Sequence, residues 1–172
     1  MSLSVGDPFP AVAVQSVEGP VDLAERWAQA PLVVTFHRLW CPFCQQSALQ
    51  LQAAREAGAD VVIVYRQDAQ TVAEKCGERG VGECVADPGQ ALERATGLER
   101  FKATRYVAFA PTKLVGALRE GGRVGMVNTD LLQGRGTYVV GRDGRVAYAH
   151  VSGNASDIPP LDDVLAAVRA AA

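Results

Sequence analysis

The feature that most constrains this chain is a Cys-Pro-Phe-Cys run lying directly behind a β-branched apolar stretch. Residues 32–37, Leu-Val-Val-Thr-Phe-His, suit a buried central strand. After Arg38-Leu39-Trp40 the sequence changes to a helical pattern over residues 42–57, closed by Gly58. Pro42 fits the first helical turn, where its missing N–H has no intrahelical acceptor to lose. Cys41 therefore stands where a helix begins, facing unpaired N–H groups and the positive end of the dipole. That placement favours a thiolate by about 0.3–2 kcal/mol, against an ordinary thiol pKa of about 8.5. Cys44 lies one turn further on, within reach of a mixed disulfide formed at Cys41. The spacing predicts a redox dithiol with Cys41 as nucleophile and Cys44 as resolving thiol.

The 172 residues, 48% hydrophobic and 21% charged, are expected to fold as one domain spanning 1–172. A net charge of -2 offers no basic footprint for nucleic acid or an anionic membrane. No apolar run approaches the ~20 residues of a spanning helix, and residues 1–10 lack the pattern of a signal peptide. The reading is a cytoplasmic protein with no membrane and no nucleic-acid partner. In a reducing compartment the four cysteines, at 41, 44, 76 and 84, point to redox or metal chemistry rather than to permanent staples.

Further strands are expected over residues 10–17, 61–65 and 85–87. Helices are expected over 23–29, capped by Asp22, and over 69–78, 91–95 and 113–119. Glu18-Gly19-Pro20 reads as a turn. Asp143-Gly144 between residues 137–140 and 145–151 signals a hairpin, and residues 160–171 a final helix. Strands alternating with helices imply an α/β fold with a central mixed sheet covered on both faces.

On these residues the sequence resembles the thioredoxin-like superfamily, and more closely its peroxiredoxin-like AhpC/TSA antioxidant branch. Phe36…Trp40-Cys41-Pro42-Phe43-Cys44 is similar to a Trp-Cys-Pro-Tyr-Cys signature of that branch. Asp87-Pro88-Gly89, Thr96-Gly97-Leu98, the run Gly136-Thr137-Tyr138 through Arg145, Tyr148-Ala149-His150 and Asp157…Pro160 carry the rest. The resemblance implies a thioredoxin-like fold with an N-terminal extension. It also implies thiol-dependent oxidoreductase activity in an antioxidant or redox-homeostasis role, without a cofactor. A peroxide or a protein disulfide would be the substrate, and a thioredoxin- or glutathione-type thiol the reductant. Arg135 matches an arginine that assists the peroxidatic thiolate. Two departures accompany it. Aligning Cys44 with the peroxidatic Cys of Pro-x-x-x-Thr-x-x-Cys puts Cys41 in place of Thr and His37 in place of Pro. Against thioredoxins, Thr35 replaces a buried acid and Gly136 a proline. Trp40, Pro42, His37, Gly136 and Thr137 are thus the residues expected to shape the site around Cys41, Cys44 and Arg135.

Several alternatives stand beside this reading. The first is a peroxidase in which Cys44 attacks peroxide. The second is a non-catalytic thioredoxin-like binding module whose cysteines pack or hold zinc, a site needing four ligands. Cys76 and Cys84 are expected to be buried, inert free thiols, with a second redox relay as the sharper possibility. His37 is expected to pack as a neutral side chain rather than act as a base, and His150 to be an ordinary edge residue. Trp40 is read as a wall beside the cysteines. Arg38 is either a solvated charge or a cation that lowers a thiol pKa. Gly121-Gly122 and Gly134…Gly136 read as turns.

Overall fold

In a computed structural model, residues 2–77, 82–102, 111–119 and 130–172 are described. Seven strands form one sheet in the order β2-β1-β5-β4-β3-β6-β7. They are β1 (Val14–Ser16), β2 (Gly19–Val21), β3 (Leu32–Phe36), β4 (Asp60–Tyr65), β5 (Glu83–Ala86), β6 (Gly136–Val140) and β7 (Val146–Val151). The central three, β3, β4 and β5, run parallel, while β6 and β7 extend the sheet antiparallel on one side. The expected mixed sheet is therefore present. On the other side the structure adds a hairpin not anticipated: Gly19 and Pro20, read as a turn, belong to β2 and pair with β1. Pro20 is tolerated because β2 is an edge strand.

The described helices are α1 (Leu23–Gln29), α2 (Pro42–Gln50), α3 (Gln52–Glu56), α4 (Ala69–Gly77), α5 (Ala91–Ala95), α6 (Pro111–Arg119) and α7 (Leu161–Ala171). Asp22 caps α1 as expected, its carboxylate accepting the Ala24 N–H at 2.7 Å. The helix expected over 42–57 is two helices meeting at Leu51. Their apolar positions still face the sheet: Ala48, Leu51 and Ala54 pack against Val33, Val61 and Ile63. Val164 and Val168, four apart on α7, cover the same face. Each such burial contributes roughly 1.5–3 kcal/mol. The opposite face is closed by Leu23 and Trp27 of α1, Leu92 of α5 and Phe9 from the N-terminal segment. Because strand side chains alternate, β3 is buried on both faces, and every residue from Leu32 to Phe36 is at most 1% exposed.

One expectation for the cysteines is corrected. Cys76, in α4, and Cys84, in β5, are not free thiols but a disulfide, with Cα atoms 6.2 Å apart. The bond is possible because α4 packs against β5, and the spacing lies within the range disulfides adopt. Gly121-Gly122 lie outside the described residues.

Candidate active site

The strand β3 delivers the chain to the site, and its last turn before α2 is unusual. Trp40 adopts φ +64°, a left-handed conformation that costs a non-glycine residue roughly 1–2 kcal/mol. The indole packs against the core on the α2 side of the sheet, with Lys75 Nζ 5.3 Å from the ring centroid. This contact and burial hold the bend. It turns the chain so that Cys41 becomes the N-cap of α2 and Pro42 its first residue.

Cys41 and Cys44 are both reduced and buried, at 5% and 1% exposure. Two guanidinium groups close around the sulfurs. Arg135 Nη1 donates to Cys44 Sγ at 3.2 Å and lies 4.0 Å from Cys41 Sγ. Arg38 Nη2 lies 3.7 Å from Cys41 Sγ, and the Arg38 backbone N–H donates to Cys44 Sγ at 3.4 Å. Arg38 is therefore a buried cation at the sulfurs and not a solvated charge. The hydrogen bond from the Cys44 thiol, reinforced by the charges of Arg135 and Arg38, holds the Cys41 thiol well below its ordinary pKa despite burial. Burial, and the adjoining Cys41, push the Cys44 thiol up. The pair can share one negative charge, carried at Cys41, with Cys44 as its proton donor.

Each arginine is itself anchored. Arg135 Nη2 donates to the Asp157 carbonyl at 2.9 Å, while the Asp157 carboxylate meets His150 Nε2 at 3.1 Å and accepts the Gly153 N–H at 2.6 Å. His150 stands on the edge strand β7, as expected, with its Nε2 beside the Asp157 carboxylate. Arg38 Nη1 donates to the Leu131 carbonyl at 2.7 Å. The neighbouring Asp130 carboxylate is fixed by Arg66 at 3.0 Å and Arg100 at 2.8 Å, and Arg66 also grips Glu93. The spacing of residues held no sign of these anchors, because carbonyl acceptors are common to every residue type.

The remaining expected residues fall around this centre. His37 is 2% exposed and sits edge-on to Tyr65, with ring centroids 6.3 Å apart. Thr137 and Thr35 share a hydrogen bond of 2.8 Å between their hydroxyls. Gly136 belongs to β6 and is not a turn; a Cβ there would stand 2.8 Å from Leu98. Gly134 likewise marks a close backbone approach, since a Cβ would fall 1.9 Å from the Glu99 carbonyl oxygen. Phe43, Ala117 and Leu114 of α6 and Ile158 pack over the cysteines. A groove of about 530 Å³, lined by Phe43, Gln46, Ala117, Asn154 and Ile158 among others, runs alongside.

A helix N-terminus carrying two cysteines, set behind a parallel central strand and flanked by buried cations, defines a thioredoxin-fold thiol oxidoreductase. The chain belongs to the Redoxin family, whose profile matches residues 4–115. No curated protein sequence matches it. Solved structures share its fold over nearly their whole length. The peroxidoxin BcpB of Mycobacterium tuberculosis superposes with a TM-score of 0.68 at 19% identity, covering 96% of both chains. Peroxiredoxin Q of Xanthomonas campestris gives 0.64 at 21% identity, over 98% of this chain and 96% of that one. A Chlorobium tepidum protein assigned as the thiol:disulfide interchange protein DsbE gives 0.64 at 19%, over 99% of both. Among the described residues, no helix is long and apolar enough to cross a membrane.

Proposed function

We propose that the chain is a cytoplasmic, single-domain enzyme cycling Cys41–Cys44 between dithiol and disulfide, with peroxide or a disulfide as oxidant and a thioredoxin- or glutathione-type thiol as reductant. The observation that carries this reading is the pair of guanidiniums buried against the two sulfurs. Two cations held beside the sulfurs favour a thiolate at Cys41. With peroxide, the Cys41 thiolate attacks one oxygen and the O–O bond breaks. A proton joins the leaving hydroxide to give water, and the sulfur is oxidised to sulfenic acid. Cys44 then attacks that sulfur, its own proton completing a second water as the disulfide forms. With a disulfide substrate, Cys41 displaces one thiolate and Cys44 releases the product. Two external thiols restore the dithiol in either case.

A second reading makes Cys44 the peroxide-attacking sulfur, and it has an observation of its own. The shorter Arg135 contact and the Arg38 N–H both reach Cys44. Burial at 1% exposure and the raised thiol count against it. A packing or zinc-binding role fits the cysteines less well, because the two cations that stabilise a thiolate would repel a metal ion.

The test is stopped-flow mixing of reduced protein with hydrogen peroxide, followed by tryptophan fluorescence, in the wild type, Cys41→Ser and Cys44→Ser. The expected result is a fast phase lost only in Cys41→Ser, with Cys44→Ser stalling as the Cys41 sulfenic acid. A Cys41→Ser protein that keeps the fast phase assigns attack to Cys44 instead. If wild-type oxidation is no faster than that of a free thiolate, disulfide exchange remains as the reaction.

A further inference from the structure

Arg135 has three nitrogens, and the contacts above use two of them. Its Nε is buried and pairs with no protein atom among the described residues, and the same is true of the Ser47 hydroxyl. Both residues are 3% exposed. Leaving such a group unsatisfied is costly, so two of them in one place need an explanation.

The explanation lies in a small cavity behind the site. Ser47 and Arg135 both line it, with Thr35, His37, Thr137 and Ser152 among its other walls, and its volume is about 10 Å³. A single internal water needs roughly 10–15 Å³ and two to four polar neighbours. Thr35 and Thr137 spend one hydrogen bond on each other, which leaves hydroxyl lone pairs that can accept from such a water. Ser47 stands three residues after Cys44 on α2 and therefore shares its face of the helix.

We infer that one buried water molecule bridges Ser47 Oγ and Arg135 Nε, and that Ser47 is through it a positioning residue for the guanidinium over Cys41 and Cys44. The guanidinium then has three fixed points: the sulfurs, the Asp157 carbonyl and the water. The functional part rests on the Cys41 thiolate proposed above. The charged and titratable groups facing that thiolate are Arg38, Arg135 and Cys44, and His37 borders the cavity.

Two measurements test it. A crystal structure of the reduced wild-type protein at atomic resolution shows a water peak within hydrogen-bond distance of Ser47 Oγ and Arg135 Nε; a dry cavity overturns the inference outright. The rate of Cys41 modification by iodoacetamide, located by mass spectrometry across pH, reads the positioning role. Ser47→Ala is expected to slow it about threefold below the thiol pKa, half a pKa unit, whereas Ser47→Thr, which keeps the hydroxyl, retains the wild-type rate. In an Arg135→Met background, Ser47→Ala should have no further effect. An undiminished effect there overturns the positioning role. A Cys41 that is unreactive in the wild type would sink the proposed function instead, and the crystallographic peak would still decide the water site.

Discussion

Arg38 and Arg135 reach the same two sulfurs from distant parts of the chain, one leaving β3 and the other entering β6. Removing either cation takes positive charge from beside the Cys41 thiolate, so the thiol pKa rises and the thiolate fraction falls at any pH below it. Arg38→Met and Arg135→Met are each expected to slow Cys41 alkylation roughly tenfold near neutrality, about one pKa unit. The loss should vanish at alkaline pH, where the thiolate is complete in every variant. Tyr138 titrates in the other sense. Burial pushes its phenol up to about 12, while in the unfolded chain it ionises near the ordinary value of about 10. Stability linked to Tyr138 is therefore complete below pH ~10 and is lost as pH rises towards 12. Absorbance at the phenolate band should show one tyrosine ionising last, and a tyrosine population titrating together near pH 10 in the folded protein would contradict this. At this scale the sequence was legible where chemistry has a residue type attached. The two cysteines announce themselves by spacing, and Arg135 by resemblance. Arg38 was ambiguous because a charge at a strand end points to solvent or inward according to packing alone.

Among the elements, the short approach to β6 is the most tightly specified. Gly134 passes so near Glu99 that an alanine methyl would overlap its carbonyl oxygen, and that oxygen is backbone, unable to swing aside. Gly134→Ala is expected to cost about 1–3 kcal/mol, read as a lower urea midpoint, and to disturb the adjacent Arg135. The ladder Glu93–Arg66–Asp130 fixes the carbonyls that hold Arg38. Arg66→Met should therefore reproduce part of the Arg38→Met alkylation defect without touching a sulfur. A wild-type alkylation profile in that variant would show that the ladder is only structural. The long apolar strands and the periodic helix α7 could be read from pattern alone. The β1–β2 hairpin could not, because Gly19 and Pro20 are turn residues by every local rule and become a strand only through edge pairing with β1.

Across the whole molecule, the Cys76–Cys84 bridge ties a helix to β5, the strand between β1 and β4. Its position depended on how α4 returns to β5, a tertiary matter, which is why two cysteines with seven residues between them looked like independent thiols. Closing so short a loop restrains the unfolded chain by about 2–3 kcal/mol. Cys76→Ser is expected to lower Tm by roughly 5–10 °C, and peptide mapping without reductant should recover the cross-linked pair. Equal Tm values with and without reductant would argue against the bridge. The covering of the Cys41 and Cys44 sulfurs has a separate consequence, for kinetics. With Cys41 at 5% and Cys44 at 1% exposure beneath Phe43, Ala117 and Ile158, access is set by the dimensions of the incoming reagent as much as by its electrophilicity. The protein should discriminate among oxidants as a sieve does. Two reagents that modify a free thiolate at matched rates, one compact like iodoacetamide and one an aromatic disulfide, should separate widely on the folded protein and converge again in urea.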